Sequence, residues 1–301
     1  LHVPLKEGLG DKVKASVGGE TQTFKSEGFL TWDPKGKIGP APRIKRGRTF
    51  DLGNLASFKS EQAFSYGAWV RSPQRLNASV FARMDDAQKF RGWDLWQQGG
   101  QFGAHLVESW PDNAIKVVTE KKVLKPGEWN HIFVTYDGSG KAEGIHLYHN
   151  GTEQTKTVET NSLKPNADIT TGTPLQIGQR SKGAYFEDGF LQDMRIYSRI
   201  LSSGEIMALA DSGPLLAILA TSSQERSSEQ NKVLFENFLH TRDKQFATLS
   251  DNLARLKSQR EALNGKAAIT HVQKEKPGMA MAHILMRGQY EKKGEQVTAN
   301  T

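Results

Sequence analysis

Residues 126–151, PGEWNHIFVTYDGSGKAEGIHLYHNG, constrain the fold more than any other stretch. Trp129, His131, Phe133 and Thr135 alternate with Asn130, Ile132, Val134 and Tyr136, so apolar bulk falls on both faces. Period-2 alternation of β-branched and aromatic residues marks a strand, and bulk on both faces marks a buried one. After a loop at 137–142 comes a second short strand, 145–149, closed by Asn150 and Gly151. That pair tolerates φ > 0 and is the strongest short-range hairpin signal. The stretch describes a scaffold: it holds no nucleophile, metal-ligand set or phosphate loop.

Strand-like segments separated by turn signals recur over 64–197, which is the spacing of an all-β sandwich. Expected core residues are Trp69, Phe133, Ile145, Leu147, Leu175, Ile177, Met194 and Ile196. Truncating a buried Trp or Phe there to Ala costs about 3–5 kcal/mol. Past this region the period changes. Ser202 and Glu205 have the spacing of a capping box, predicting a helix that runs to about Ala210. Phe246, Leu249, Leu253, Leu256 and Leu263 follow heptad-like steps, and Val233, Leu234, Phe238 and Leu239 form an earlier amphipathic stretch. Together they predict a helical hairpin over about 227–264, C-capped by Asn264 and Gly265. Such a hairpin is too short to be stable alone and must pack on something. Residues 266–301 carry neither period and read as an extended connector.

Four motifs in order resemble the laminin-G-like, concanavalin A-like lectin/glucanase superfamily. They are FSYGAWV at 64–70, the 129–151 hairpin with its LYHNG ending, PLQIGQR at 174–180, and GFLQDMRIY at 189–197 running into SRILSSGEI. The resemblance covers about 1–212 and implies a two-sheet antiparallel jelly roll. The segment RGQYEKKGEQV at 287–297 resembles the opening of a bacterial domain of unknown function, found in large planctomycete-type proteins that also carry cytochrome c modules. Lys293 replaces that family's usual proline. The expected organisation is a jelly roll at 1–212, a helical linker at 213–265, and a connector at 266–301 opening a further domain. The chain is then expected to be a piece of a larger exported bacterial protein, in which any haem belongs to other domains.

Composition narrows the function classes. The absence of cysteine excludes disulfides, thiolate metal sites, thiol catalysis and haem attachment within these 301 residues. No apolar run is long enough to span a membrane. The net charge of +7 raises nucleic acid as a partner, but the basic residues are dispersed. The densest run, 43–48, falls in a Pro/Gly-rich loop, so no nucleic-acid partner is expected.

Glucanases of this fold need two carboxylates roughly 5–5.5 Å apart for retaining chemistry. No Glu-x-Asp-x-x-Glu run occurs, and no enzymatic activity is expected. Sugar sites use an aromatic platform beside hydrogen-bonding groups. The strand at 91–98, RGWDLWQQ, puts Trp93 and Leu95 on one face and Asp94 and Trp96 on the other, with Gln98 nearby. Trp110 follows in a loop with Asp112 and Asn113. Trp96 and Trp110 are therefore the candidate platform. The resemblance adds Arg83, Arg180 and Tyr185 as ligand candidates, and Asp193 as a candidate calcium ligand. The alternative for Asp193 is a charge pair with Arg180 or Arg195. The expected role is a binding module for a carbohydrate or a protein surface. The alternative is a structural spacer whose helices meet neighbouring domains of the same polypeptide.

Overall fold

The computed structural model describes residues 1–211, 218, 221–246, 248–250, 252, 253, 256, 260 and 282–297. The chain divides into two compact units, Leu1–Arg255 and Leu256–Thr301. In chain order the strands are β1 (His2–Val3), β2 (Lys12–Val17), β3 (Glu20–Lys25), β4 (Trp32–Asp33), β5 (Ala41–Ile44), β6 (Phe50–Asp51), β7 (Phe64–Arg71), β8 (Asn77–Asp85), β9 (Arg91–Gln98), β10 (Gln101–Ser109), β11 (Asn113–Thr119), β12 (Asn130–Tyr136), β13 (Ile145–His149), β14 (Thr152–Gln154), β15 (Lys156–Asn161), β16 (Gln176–Ile177), β17 (Gly189–Tyr197), β18 (Ala282–Leu285) and β19 (Lys293–Val297). Among the described residues two α-helices run without interruption for eight residues or more, α1 (Ser203–Ala210) and α2 (Ser228–Arg242).

The first unit is a two-sheet sandwich. One sheet runs β14-β13-β12-β7-β17-β1-β2-β3, with β5 beside β17 and β4 beside β5; the other runs β15-β11-β10-β9-β8-β16-β6. The central pairs are antiparallel. Period-2 alternation sends Phe64, Tyr66 and Val70 from one sheet against Phe81, Trp93 and Leu95 from the other. The Tyr66 and Trp93 rings lie 4.7 Å apart, and the buried Tyr66 hydroxyl donates to the Asp94 carbonyl at 3.0 Å. Core packing thus holds the backbone of a residue whose side chain points the other way.

The predicted hairpin is formed by β12 and β13. At its far end Asn150 and Gly151 have φ of 49° and 80°, as a two-residue turn between β13 and β14 requires. Asn150 also accepts from the His131 amide at 2.8 Å and donates its own amide to the His131 carbonyl, so the turn is tied to β12.

Two of the expected core residues are buried elsewhere. Phe133 packs with Tyr148, Leu201 and Ile206 on the outward face of the ten-stranded sheet, beneath α1. Trp69 also faces outward, with the Lys37 ammonium 3.9 Å from its ring. Apolar bulk on both faces of these strands reflects a sheet covered on both sides. The other six lie between the sheets.

Ser202 and Glu205 make the capping box that starts α1, and Ser227 and Gln230 make a second one that starts α2. Helical residues resume at Lys244, where the Asp243 carboxylate accepts from the Phe246 amide at 2.9 Å. Leu263, Asn264 and Gly265, the expected end of this helix, lie outside the described residues. In the second unit β18 and β19 pair as an antiparallel hairpin. Part of the expected connector is therefore paired strand. Its sequence hides this because the register shifts between His283 and Leu285, which breaks the period-2 signal. No helix among the described residues is long and apolar enough to cross a membrane.

Candidate functional site

On β9, Trp93 and Leu95 point into the core while Asp94 and Trp96 point outward, as the alternation predicts. Strand register then builds a row. His105 of β10 stands opposite Asp94, and Lys116 of β11 stands opposite His105. Arg180 arrives from the loop after β16.

Asp94 is fully buried. Its Oδ1 meets His105 Nδ1 at 2.8 Å, and its Oδ2 accepts from Arg180 Nε at 2.9 Å and Nη2 at 2.7 Å. Burial on its own pushes this carboxyl up. The charges and hydrogen bonds of His105 and Arg180 outweigh burial and hold it at about 2. Asp94 is therefore a permanent anion, unable to serve as a proton donor at neutral pH. Its role is to hold His105 and Arg180 in place. With both partners beside it the buried charge is compensated; removing one leaves another uncompensated.

Above this triad lies a cleft of about 190 Å³, lined by Met84, Phe90, Trp96 and His105 and closed by Val107, Trp110, Lys116 and Arg180. Trp96 and Trp110 are half-buried and flank His105, each with its ring centroid 5.7 Å from the imidazole in edge-on contact. The Arg180 guanidinium lies 4.4 Å from the Trp96 ring and 5.5 Å from that of Phe90. Lys116 Nζ donates to Gln98 at 2.8 Å and pairs with Glu159 at 2.7 Å, while Gln98 also accepts from Trp96 Nε1 at 3.3 Å. The lining contains no Asp or Glu, so the carboxylate pair of a retaining glycosidase is not present in it.

Of the residues singled out in the sequence, Trp96, Trp110 and Arg180 meet in this cleft. Arg83 does not. It is buried on the opposite side of β8 from Met84, bonded to the Leu55 and Thr171 carbonyls and to Asn54, and so braces loops instead of meeting a ligand. Tyr185 lies outside the cleft with Arg46 stacked 4.4 Å from its ring. Asn113 donates to Glu108 and accepts from the Lys164 amide, another structural brace.

Asp193 lies outside the cleft, among basic side chains. Calcium wants six to eight oxygen ligands. The Asp193 carboxylate instead faces nitrogen groups: His2 Nε2 at 2.6 Å, and Arg195 Nε at 3.0 Å and Nη2 at 2.9 Å. No cluster of three metal-binding side chains occurs among the described residues. The geometry is that of the Arg195 charge pair. Sequence reading missed His105 and Lys116. An outward histidine on β10 is visible from alternation alone, but its partner depends on register.

Residues 46–207 match the model of the Concanavalin A-like lectin/glucanases superfamily. The chain belongs to this superfamily. A comparison with curated proteins found no match. Among solved structures, the binding domain of Paraclostridial Mosquitocidal Protein 1 is similar with a TM-score of 0.54 and 18% identity, over 70% of this chain and 51% of that one. The receptor binding domain of botulinum neurotoxin D has a TM-score of 0.52 at 14% identity, over 72% and 52% of the two chains. The botulinum neurotoxin D ligand binding domain in complex with N-acetylneuraminic acid has a TM-score of 0.51 at 12% identity, over 72% and 51%. The chain spans about half the length of these structures. At such identities the likeness is one of fold.

Proposed function

We propose that this superfamily member is a non-enzymatic binding module that takes a carbohydrate into the Trp96–Trp110 cleft. The observation that carries the reading is the pairing of two half-buried indoles around a rigidly held polar floor. A site with apolar walls and a few fixed polar groups suits a small polar ligand with an apolar face. The lack of any carboxylate in the lining supports binding over hydrolysis. The resemblance of residues 287–297 supports a place in a larger exported bacterial protein.

A glycan array with the full chain, run with calcium and with a chelator, tests this. The expected result is binding that survives chelation and is lost in Trp110→Ala. A blank array with folded protein overturns it.

One observation favours a second role, contact with neighbouring domains or another protein. Phe235 and Phe238 on α2 are 60% and 55% exposed, and Leu249 and Leu253 are 60% and 54% exposed. Water-facing apolar residues at this density mark an interaction surface.

A further inference from the structure

The hydrogen-bonding groups left free in the cleft specify more than a sugar. The triad exhausts Asp94: both oxygens are occupied, and the carboxylate lies behind the surface. Arg180 spends Nε and Nη2 on Asp94 and forms no hydrogen bond from Nη1 among the described residues. Lys116 Nζ uses two bonds, to Gln98 and Glu159, and an ammonium has three N–H groups. The Trp110 indole N–H has no partner among the described residues and is not a buried orphan. Against these three donors stands one free ring acceptor, His105 Nε2, since Nδ1 is committed to Asp94. The free groups are thus rich in donors and poor in acceptors, and two of the donors are cationic.

The hydroxyls of a neutral sugar can accept from these donors but bring no charge to meet the two cationic ones. A carboxylate accepts only, through about four lone-pair sites. We infer, on the basis of the carbohydrate reading above, that the cleft selects a sugar bearing a carboxylate, such as a uronic acid. Its acid group would lie on the Arg180–Lys116 side and its apolar face against the indoles. A free hydroxyl of the ring would donate to His105 Nε2. Charge-assisted bonds from Arg and Lys to a carboxylate are stronger than neutral ones, so the acidic member of a matched pair gains most of the affinity.

The test is calorimetric titration of the full chain with matched oligosaccharides: cello-oligosaccharides and the same chains oxidised at C6, and oligogalacturonates and their methyl esters. The expected result is at least a roughly tenfold preference for the acid form, and a fall of about tenfold for that form in Lys116→Gln. Neutral-sugar affinity should fall less than that of the acid form in that variant, and its thermal unfolding should remain a single cooperative transition. Raising salt should weaken only the acid form. Equal or tighter binding of the neutral partners, or a Lys116→Gln variant that keeps the acid preference, overturns the inference and leaves the carbohydrate reading standing. Absence of binding to every acidic and neutral sugar on the array overturns both.

Discussion

Each sheet of the sandwich carries a tryptophan–histidine pair on its outward face, and the two pairs are built for opposite ends. On the seven-stranded sheet Trp96 meets His105 with ring centroids 5.7 Å apart, and the imidazole is anchored to the buried Asp94 anion. On the ten-stranded sheet Trp69 meets His131 at 5.2 Å. There Trp69 Nε1 and His131 Nδ1 are buried without a partner among the described residues, and burial drives His131 down to about 3. The first face spends a buried carboxylate to hold polar groups beneath an open cleft. The second is covered by α1 and the Lys37 side chain, and its histidine is kept neutral as packing. Similar residue pairs on similar strands therefore become a site or a seam according to what lies over them.

The largest effect that sharpens this contrast is expected within β9 itself. Trp93→Ala empties a site between the sheets and should cost about 3–5 kcal/mol in chemical denaturation. Trp96, three residues on and facing outward, should cost under about 1 kcal/mol when truncated. Equal losses would place Trp96 in the core and remove the cleft as a site.

Next comes the anchor. Asp94→Asn leaves Arg180 without its buried partner and should destabilise by about 3 kcal/mol. The wild-type carboxyl is held at about 2 against an ordinary 3.8. Its contribution is therefore present above the ordinary value and lost as pH falls from there toward about 2. Urea midpoints measured across that window should fall in wild type and flatten in the variant. A variant with the wild-type slope would mean that the triad does not hold the charge.

The covered face should respond in a different window. His131 is held at about 3 against 6.5, so the unfolded chain takes up that proton more readily. Stability is full above the ordinary value and declines with acidification from there toward 3. At about pH 5 the loss from this group is about 2 kcal/mol. His131→Leu should abolish that loss, as followed by denaturant titration at two pH values. Persistence of the loss would assign it to another group.

The smallest stability effect is expected at the cleft rim. Trp110→Ala should leave the thermal midpoint within about 2 °C of wild type, while indole fluorescence no longer reports added sugar. A large drop in midpoint would make Trp110 a packing residue of the Met84–Val107 cluster it touches.

What local sequence determined is what depends on neighbours along the chain. Alternation placed Trp93 inward and Trp96 outward on β9, the Asn150–Gly151 turn required φ > 0, and Ser202 with Glu205 started α1. Each is a short-range constraint of backbone geometry and capping. Tertiary structure decided the partners. His105 lies 11 residues from Asp94, and Arg180 lies 86 away; only strand register and the loop after β16 bring them together. The same placement brought Arg195 to the Asp193 carboxylate, the charge pair that stood as the alternative to a calcium role. It also decided that Trp69 would be covered and Trp96 left half open, because burial belongs to what packs across a face, and a period of two names the face without naming what lies above it.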